Sequence, residues 1–179
     1  MTLSYRMKRL STWLTLVVVV LLVSSAVKTQ TRTLTHKGRD YSLELPSAKW
    51  REIRVPGVAH ESTEFRYGDE GLVRLRIRRE FVDAGVLPSD LVLRRQRSDR
   101  AFLPGYVKGK DQNFEGQLDG AKYPYEYTSA GKLKAGLVYY LQADSRIIYR
   151  LEFIGPPKEL WDLADQTDFI ARSFRSGGS

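Results

Sequence analysis

A chain of 179 residues with 42% apolar and 28% charged residues has room for one domain with a core and is too apolar for wholesale disorder. It has no cysteine, which excludes disulfides, thiol catalysis, cysteine-ligated metals and a lipid-modified N-terminal cysteine. Its 29 basic and 21 acidic residues give a net charge of +8, but residues 1–26 hold three of the basic residues and no acidic one, so the remainder carries +5.

The surplus at the N-terminus has its own meaning. Arg6, Lys8 and Arg9 precede the eleven-residue apolar run Trp13–Val23, which gives way to the small residues Ser24, Ser25 and Ala26. This is the layout of a secretory signal peptide, with cleavage expected after Ala26. The rival reading is an uncleaved membrane anchor. Extended from Leu10 to Val27 the run reaches eighteen residues, interrupted by Ser and Thr, against the about 20 apolar residues of a spanning helix. Both readings place the following domain outside the cytoplasm, periplasmic or secreted. Residues 27–32 read as a short tether, 33–175 as the domain, and 176–179 as a flexible tail.

Turn signals then arrive at strand-like spacing. Thr33–Lys37 and Tyr41–Leu45 flank Gly38-Arg39-Asp40 and predict a hairpin, closed off by Pro46. Trp50 opens a short segment that ends at Pro56-Gly57. Ser62–Tyr67 and Leu72–Phe81 flank Gly68-Asp69-Glu70-Gly71, a second hairpin. Pro88-Ser89-Asp90 opens a polar helix with Ser89 as its expected N-cap and Leu87, Leu91, the stem of Arg95 and Phe102 facing inward. Pro104-Gly105 ends it. Strands are predicted over Tyr106–Leu118, Tyr123–Ser129, Leu133–Ala143 and Ile147–Ile154. A closing helix from Lys158 to Phe174 keeps the helical period through Leu160, Leu163, Ala164, Thr167, Ile170, Ala171 and Phe174. Strands, helix, strands and helix in that order predict an α+β domain, an antiparallel sheet flanked by helices.

Two stretches carry a resemblance. Tyr41–Trp50, an aromatic strand followed by proline and tryptophan, and Phe169–Phe174 in the closing helix are similar to the PsbP family, named for an extrinsic photosystem II subunit. That superfamily also holds a Ran-binding nuclear transport factor and secreted bacterial domains. The resemblance implies an α/β/α sandwich and a non-enzymatic binding or assembly-supporting role. These are packing motifs, and no manganese, calcium or Ran site can be carried over from them.

The chemistry-bearing motifs are incomplete. His60-Glu-Ser-Thr-Glu64 resembles a metalloprotease helix but has Glu64 where the second histidine ligand belongs, and His36 is the only other histidine. Asp111–Gly116 starts like a calcium loop, yet its twelfth position is Lys122 where a bidentate glutamate is needed. There is no phosphate-binding glycine loop and no nucleophile elbow. No catalytic residue, metal site or cofactor is therefore assigned.

What remains is Gly71–Phe81, with four arginines in eleven residues. On a strand Arg74, Arg76 and Arg78 face one way and Val73, Leu75 and Ile77 the other. Tyr123, Tyr125 and Tyr127 alternate onto one face as well and offer rings for cation–π stacking. These six are the candidate binding residues. The extracytoplasmic address and the modest basic excess argue against nucleic acid. The expected partner is a protein or another envelope component. The alternatives are an anionic membrane surface, and a secreted hydrolase whose site is assembled from scattered residues.

Overall fold

The computed structural model describes residues 32–35, 40–53 and 62–177. The expected leader, the expected turns at Gly38 and at Pro56-Gly57, His36 and His60 lie outside the described residues. Among the described residues, no helix is long and apolar enough to cross a membrane.

The central sheet takes most of the chain. Its strands are β3 (Trp50–Ile53), β4 (Ser62–Tyr67), β5 (Val73–Phe81), β6 (Val107–Lys108), β7 (Gln112–Phe114), β8 (Gly120–Ser129), β9 (Lys132–Gln142) and β10 (Ile147–Gly155). Their spatial order is β3-β4-β5-β10-β9-β8-β6, with β7 also on β8 and every pairing antiparallel. A small second sheet joins β1 (Arg32–Thr35), β2 (Tyr41–Leu45) and the C-terminal β11 (Arg175–Ser176). The β8–β9 connection is a two-residue turn in which Ala130 and Gly131 both have positive φ, 49° and 71°. That turn matches the right-handed twist of the strands it joins.

One face of the central sheet carries Phe65, Leu75, Ile77, Leu137, Leu151 and Phe153, all buried. The second sheet and the helices α2 (Pro157–Trp161) and α3 (Ala164–Ser173) cover it. Phe174 closes this layer, stacked on Tyr41 at 5.1 Å and tilted against Tyr149 at 4.9 Å between ring centres. The other face is partly covered by α1 (Pro88–Arg95) and a π-helical turn, Gln96–Arg100, with α1 lying across β8 and β9. The three-layer α+β arrangement is thus the one expected.

Five local expectations need correction. Ser89 does not cap α1: Pro88 takes the first helical position, where its missing N–H costs nothing, so Leu87 is the cap. Asp90 completes the end by accepting the Leu87 N–H at 3.0 Å. The inward residues of α1 are Pro88, Leu91 and Val92, while Leu87 and Phe102 are exposed. The predicted strand over Tyr106–Leu118 is two short strands, because three residues, 109–111, oppose two on β8. Pro124 sits in that gap, with no N–H to give the ladder, and its carbonyl accepts from Gly109 instead at 3.0 Å. The closing helix is likewise two, broken at Asp162 and Leu163, so that α2 lies on β9 and β10 while α3 lies on β2. The chain stays bound past Arg175: Ser176 pairs with Tyr41 in the second sheet, and the Gly177 N–H donates to Asp40 at 2.6 Å.

Phe174 therefore belongs to the core. Truncation to alanine should cost about 3–5 kcal/mol, read as a lowered urea midpoint with an unchanged slope. An unchanged midpoint would place the residue outside the cooperative unit.

Candidate functional site

The charged side chains gather on the second face of the sheet, and strand register explains why. Arg76 of β5 lies opposite Glu64 of β4 and Glu152 of β10, and Glu152 lies opposite Val138 of β9, which faces Tyr123 of β8. Directly opposed residues share a face. The same reasoning aligns Arg66, Arg74, Ile154, Gly136 and Tyr125 in the neighbouring row. The arginine row and the tyrosine row thus lie on one face of one sheet, separated by β10 and β9.

They do not meet. Tyr123 and Tyr125 are buried beneath the helical layer, in a cluster with Leu91, Val92, Val138 and Tyr140. Their cation is Arg100, delivered by the π turn. Its guanidinium lies 3.9 Å from the Tyr125 ring centre and 5.7 Å from that of Tyr123. Arg100 also forms a buried ion pair with Glu152, whose Oε1 accepts the Tyr125 hydroxyl at 3.1 Å. Gly136 makes room for this arrangement, since a Cβ there would stand 2.1 Å from the Tyr125 ring. The Arg100 Nε and the Tyr106 and Tyr123 hydroxyls are buried around it with no hydrogen-bond partner among the described residues.

The electrostatics of this cluster follow from burial and pairing. Burial works against the charge on Glu152, but Arg100, Arg150 and the hydrogen bonds from Arg100 and Tyr125 outweigh it and hold the carboxyl below its ordinary range. Burial likewise opposes the charge on Arg100, and Glu152 more than compensates. Burial raises the Tyr123 and Tyr125 hydroxyls, so both stay neutral.

The arginine row lies beyond the helical layer, over β4 and β5. Arg66, Arg74 and Arg76 converge on one carboxylate, Glu64, at 3.6, 3.9 and 3.4 Å. The acid on β5 itself, Glu80, is shared by Arg95 and Arg150 at 3.3 Å each. Arg78 lies among these groups, and its pKa is lowered by burial and by the neighbouring Arg150 and Arg76. On this face β4, β5 and β10 present five arginines (Arg66, Arg74, Arg76, Arg78, Arg150) and three glutamates (Glu64, Glu80, Glu152). Tyr127 is half-buried, and burial raises its hydroxyl, with Glu152 adding to the shift and Arg74 and Arg100 opposing it. The strip holds more positive charge than its own acids neutralise, which is the electrostatic character of an anion-binding surface.

Sequence reading missed Arg100, Glu152 and Glu64 as members of this face. A strand-register argument could have reached the two glutamates; Arg100 depends on a π turn that no local motif announces. Among the described residues there is no group of three metal-binding side chains. Asp111, from the abortive calcium motif, is held by Gln96 at 2.9 Å and Lys108 at 3.0 Å.

No protein-family model matches the chain, and no curated protein matches it in sequence. Solved structures do match its fold. Cyanobacterial PsbP from Synechocystis sp. PCC 6803 superposes with a TM-score of 0.62 at 12% identity, over 86% of this chain and 95% of that one. The Ran-binding protein Mog1p of Saccharomyces cerevisiae gives 0.60 at 9% identity, over 83% and 96%. A protein of Bacteroides thetaiotaomicron VPI-5482 gives 0.58 at 14% identity, over 84% of this chain and 50% of that one. The present chain thus spans half the length of the Bacteroides protein.

Glu152 offers a direct test of the buried cluster. Its folded pKa is depressed, so its contribution is present above the unfolded value of about 4.3 and is lost as pH falls through the folded value. Glu152→Gln leaves Arg100 buried without its counter-charge and should cost about 3–5 kcal/mol at neutral pH. The gap between wild type and variant should narrow below about pH 4. Urea titrations of both across pH 3–7 measure it; a pH-independent gap would mean that the loss is steric.

Proposed function

Proceeding from the PsbP-like fold of this chain, we propose that it is an exported, non-catalytic binding domain whose contact surface is the arginine strip of β4 and β5. The observation that carries this reading is the shared carboxylate: three guanidiniums lean on Glu64, and Arg78 stands among further cations. Surplus charge, half exposed and beyond the helical layer, suits an anionic partner. The basic leader followed by an apolar run supports export, and the Ran-binding structural neighbour supports a protein partner in general. The partner is a protein or another envelope component that presents negative charge.

In this reading Arg74, Arg76 and Arg78 bind, while Tyr123 and Tyr125 hold the helical layer in place through Arg100. Tyr127, half-buried on the same face, lies within electrostatic reach of Arg74 and belongs with the binding set.

The test is the triple variant Arg74→Gln, Arg76→Gln, Arg78→Gln. Partly exposed pairs are worth about 0–1 kcal/mol each, and Arg66 stays on Glu64, so the melting temperature should move by only a few degrees. Retention of the protein on its native envelope fraction should fall about tenfold or more, and wild-type retention should weaken with added salt as the charges are screened. Salt-insensitive retention equal to wild type would remove the strip from the binding surface.

A further inference from the structure

The strip also has a spacing, and the spacing narrows the kind of anion it fits. Arg74, Arg76 and Arg78 occupy alternate positions of one uninterrupted strand, paired on both sides. Alternate side chains on an antiparallel strand repeat about every 6.8 Å. An extended peptide repeats its own alternate side chains at the same distance. Carboxylates at every second residue of such a segment can therefore meet the three arginines in register once Arg74 and Arg76 turn from Glu64 towards the segment, with Arg66 beside Arg74 widening one end of the row.

The surroundings select among anions. α1 and the π turn rise beside the strip and reach over it through the Arg95–Glu80 and Arg100–Glu152 pairs. A helix with its side chains is about 10–12 Å across, so the arginines lie roughly one helix thickness below the outer surface of that layer. A flat bilayer would meet the helical layer first, with its exposed Leu93 and Phe102. An extended chain is narrow enough to lie alongside. The strip's own acids are already shared: Glu64 among three arginines, Glu80 between two, and Glu152 with Arg100. Further carboxylates are the complement it lacks.

We infer that the strip takes an extended acidic segment of a partner protein, with carboxylates at alternate positions, laid along β5 beside the helical layer. The inference rests on the proposed function and narrows it to one class of partner.

Two fluorescein-labelled peptides of equal length and composition test it. One has glutamates alternating with threonines; in the other the glutamates are contiguous. The whole chain without residues 1–26 is titrated with each by anisotropy, and separately with vesicles containing phosphatidylglycerol. The alternating peptide should bind about tenfold more tightly than its isomer, and Arg74→Gln and Arg78→Gln should each weaken it severalfold, with melting curves confirming that both variants fold. Equal affinity for the two isomers would overturn the inference in favour of diffuse attraction. Vesicle binding without peptide binding would overturn it in favour of a lipid surface. Loss of envelope retention in the triple variant, with neither peptide bound, would leave the strip as the binding surface and discard the acidic segment.

Discussion

The constraint on which this molecule depends is the two-sidedness of β5 inside an antiparallel sheet. Each residue belongs to one face, and pairing on both sides leaves it no freedom to change. Val73, Leu75 and Ile77 go into the main core, and Arg74, Arg76 and Arg78 are forced onto the opposite face. A slip of one residue would bury three guanidiniums against Phe65, Leu137 and Phe153 and expose the apolar set. The main core therefore fixes where the arginines stand, without any interaction of the arginines with one another.

The opposite face is divided. Over β8 and β9 it is a second, aromatic core whose centre is charged: Arg100 between the Tyr125 ring and Glu152. A buried ion pair is weak evidence for stability, because desolvation offsets much of the attraction. What this one supplies is location. It ties the π turn to β10 at one place, and Gly136 leaves the gap in which the Tyr125 ring can lie beneath the guanidinium. π-helical turns within helices recur at functional sites, and here the turn sets the edge of the helical layer. Beyond that edge lies the arginine strip. The same face thus passes from a closed charged cluster to a charged surface within three strands.

How much of this could be read from the chain followed the range of the signals. Alternation in β5 and the helical period through Leu160, Ile170 and Phe174 are local, so the strand, the closing helical region and their buried faces were legible. The split of the Tyr106–Leu118 segment depends on a proline in another strand, and the break at Asp162 on where two helices must pack; neither is written locally. Proline at the first helical position of α1 was a local signal that pointed to Leu87, and the attraction of Ser89 as a cap obscured it. The placement of the arginine row was legible. Its separation from Tyr123 and Tyr125 was not, because that needs the strand order β5-β10-β9-β8.

On the reading proposed, the strip carries charge in excess of what folding needs. Arg78 is the residue to examine, since burial and its neighbours Arg150 and Arg76 oppose its charge more than Glu152 and Glu80 favour it. The measurement is the thermal midpoint of Arg78→Gln against wild type at low and at high salt. The expected result is a variant more stable than wild type at low salt, with the gain reduced at high salt as the repulsion from Arg150 and Arg76 is screened and only the relief of desolvation remains. A variant less stable than wild type at both salt concentrations would show that Arg78 serves the fold, and would contradict the account.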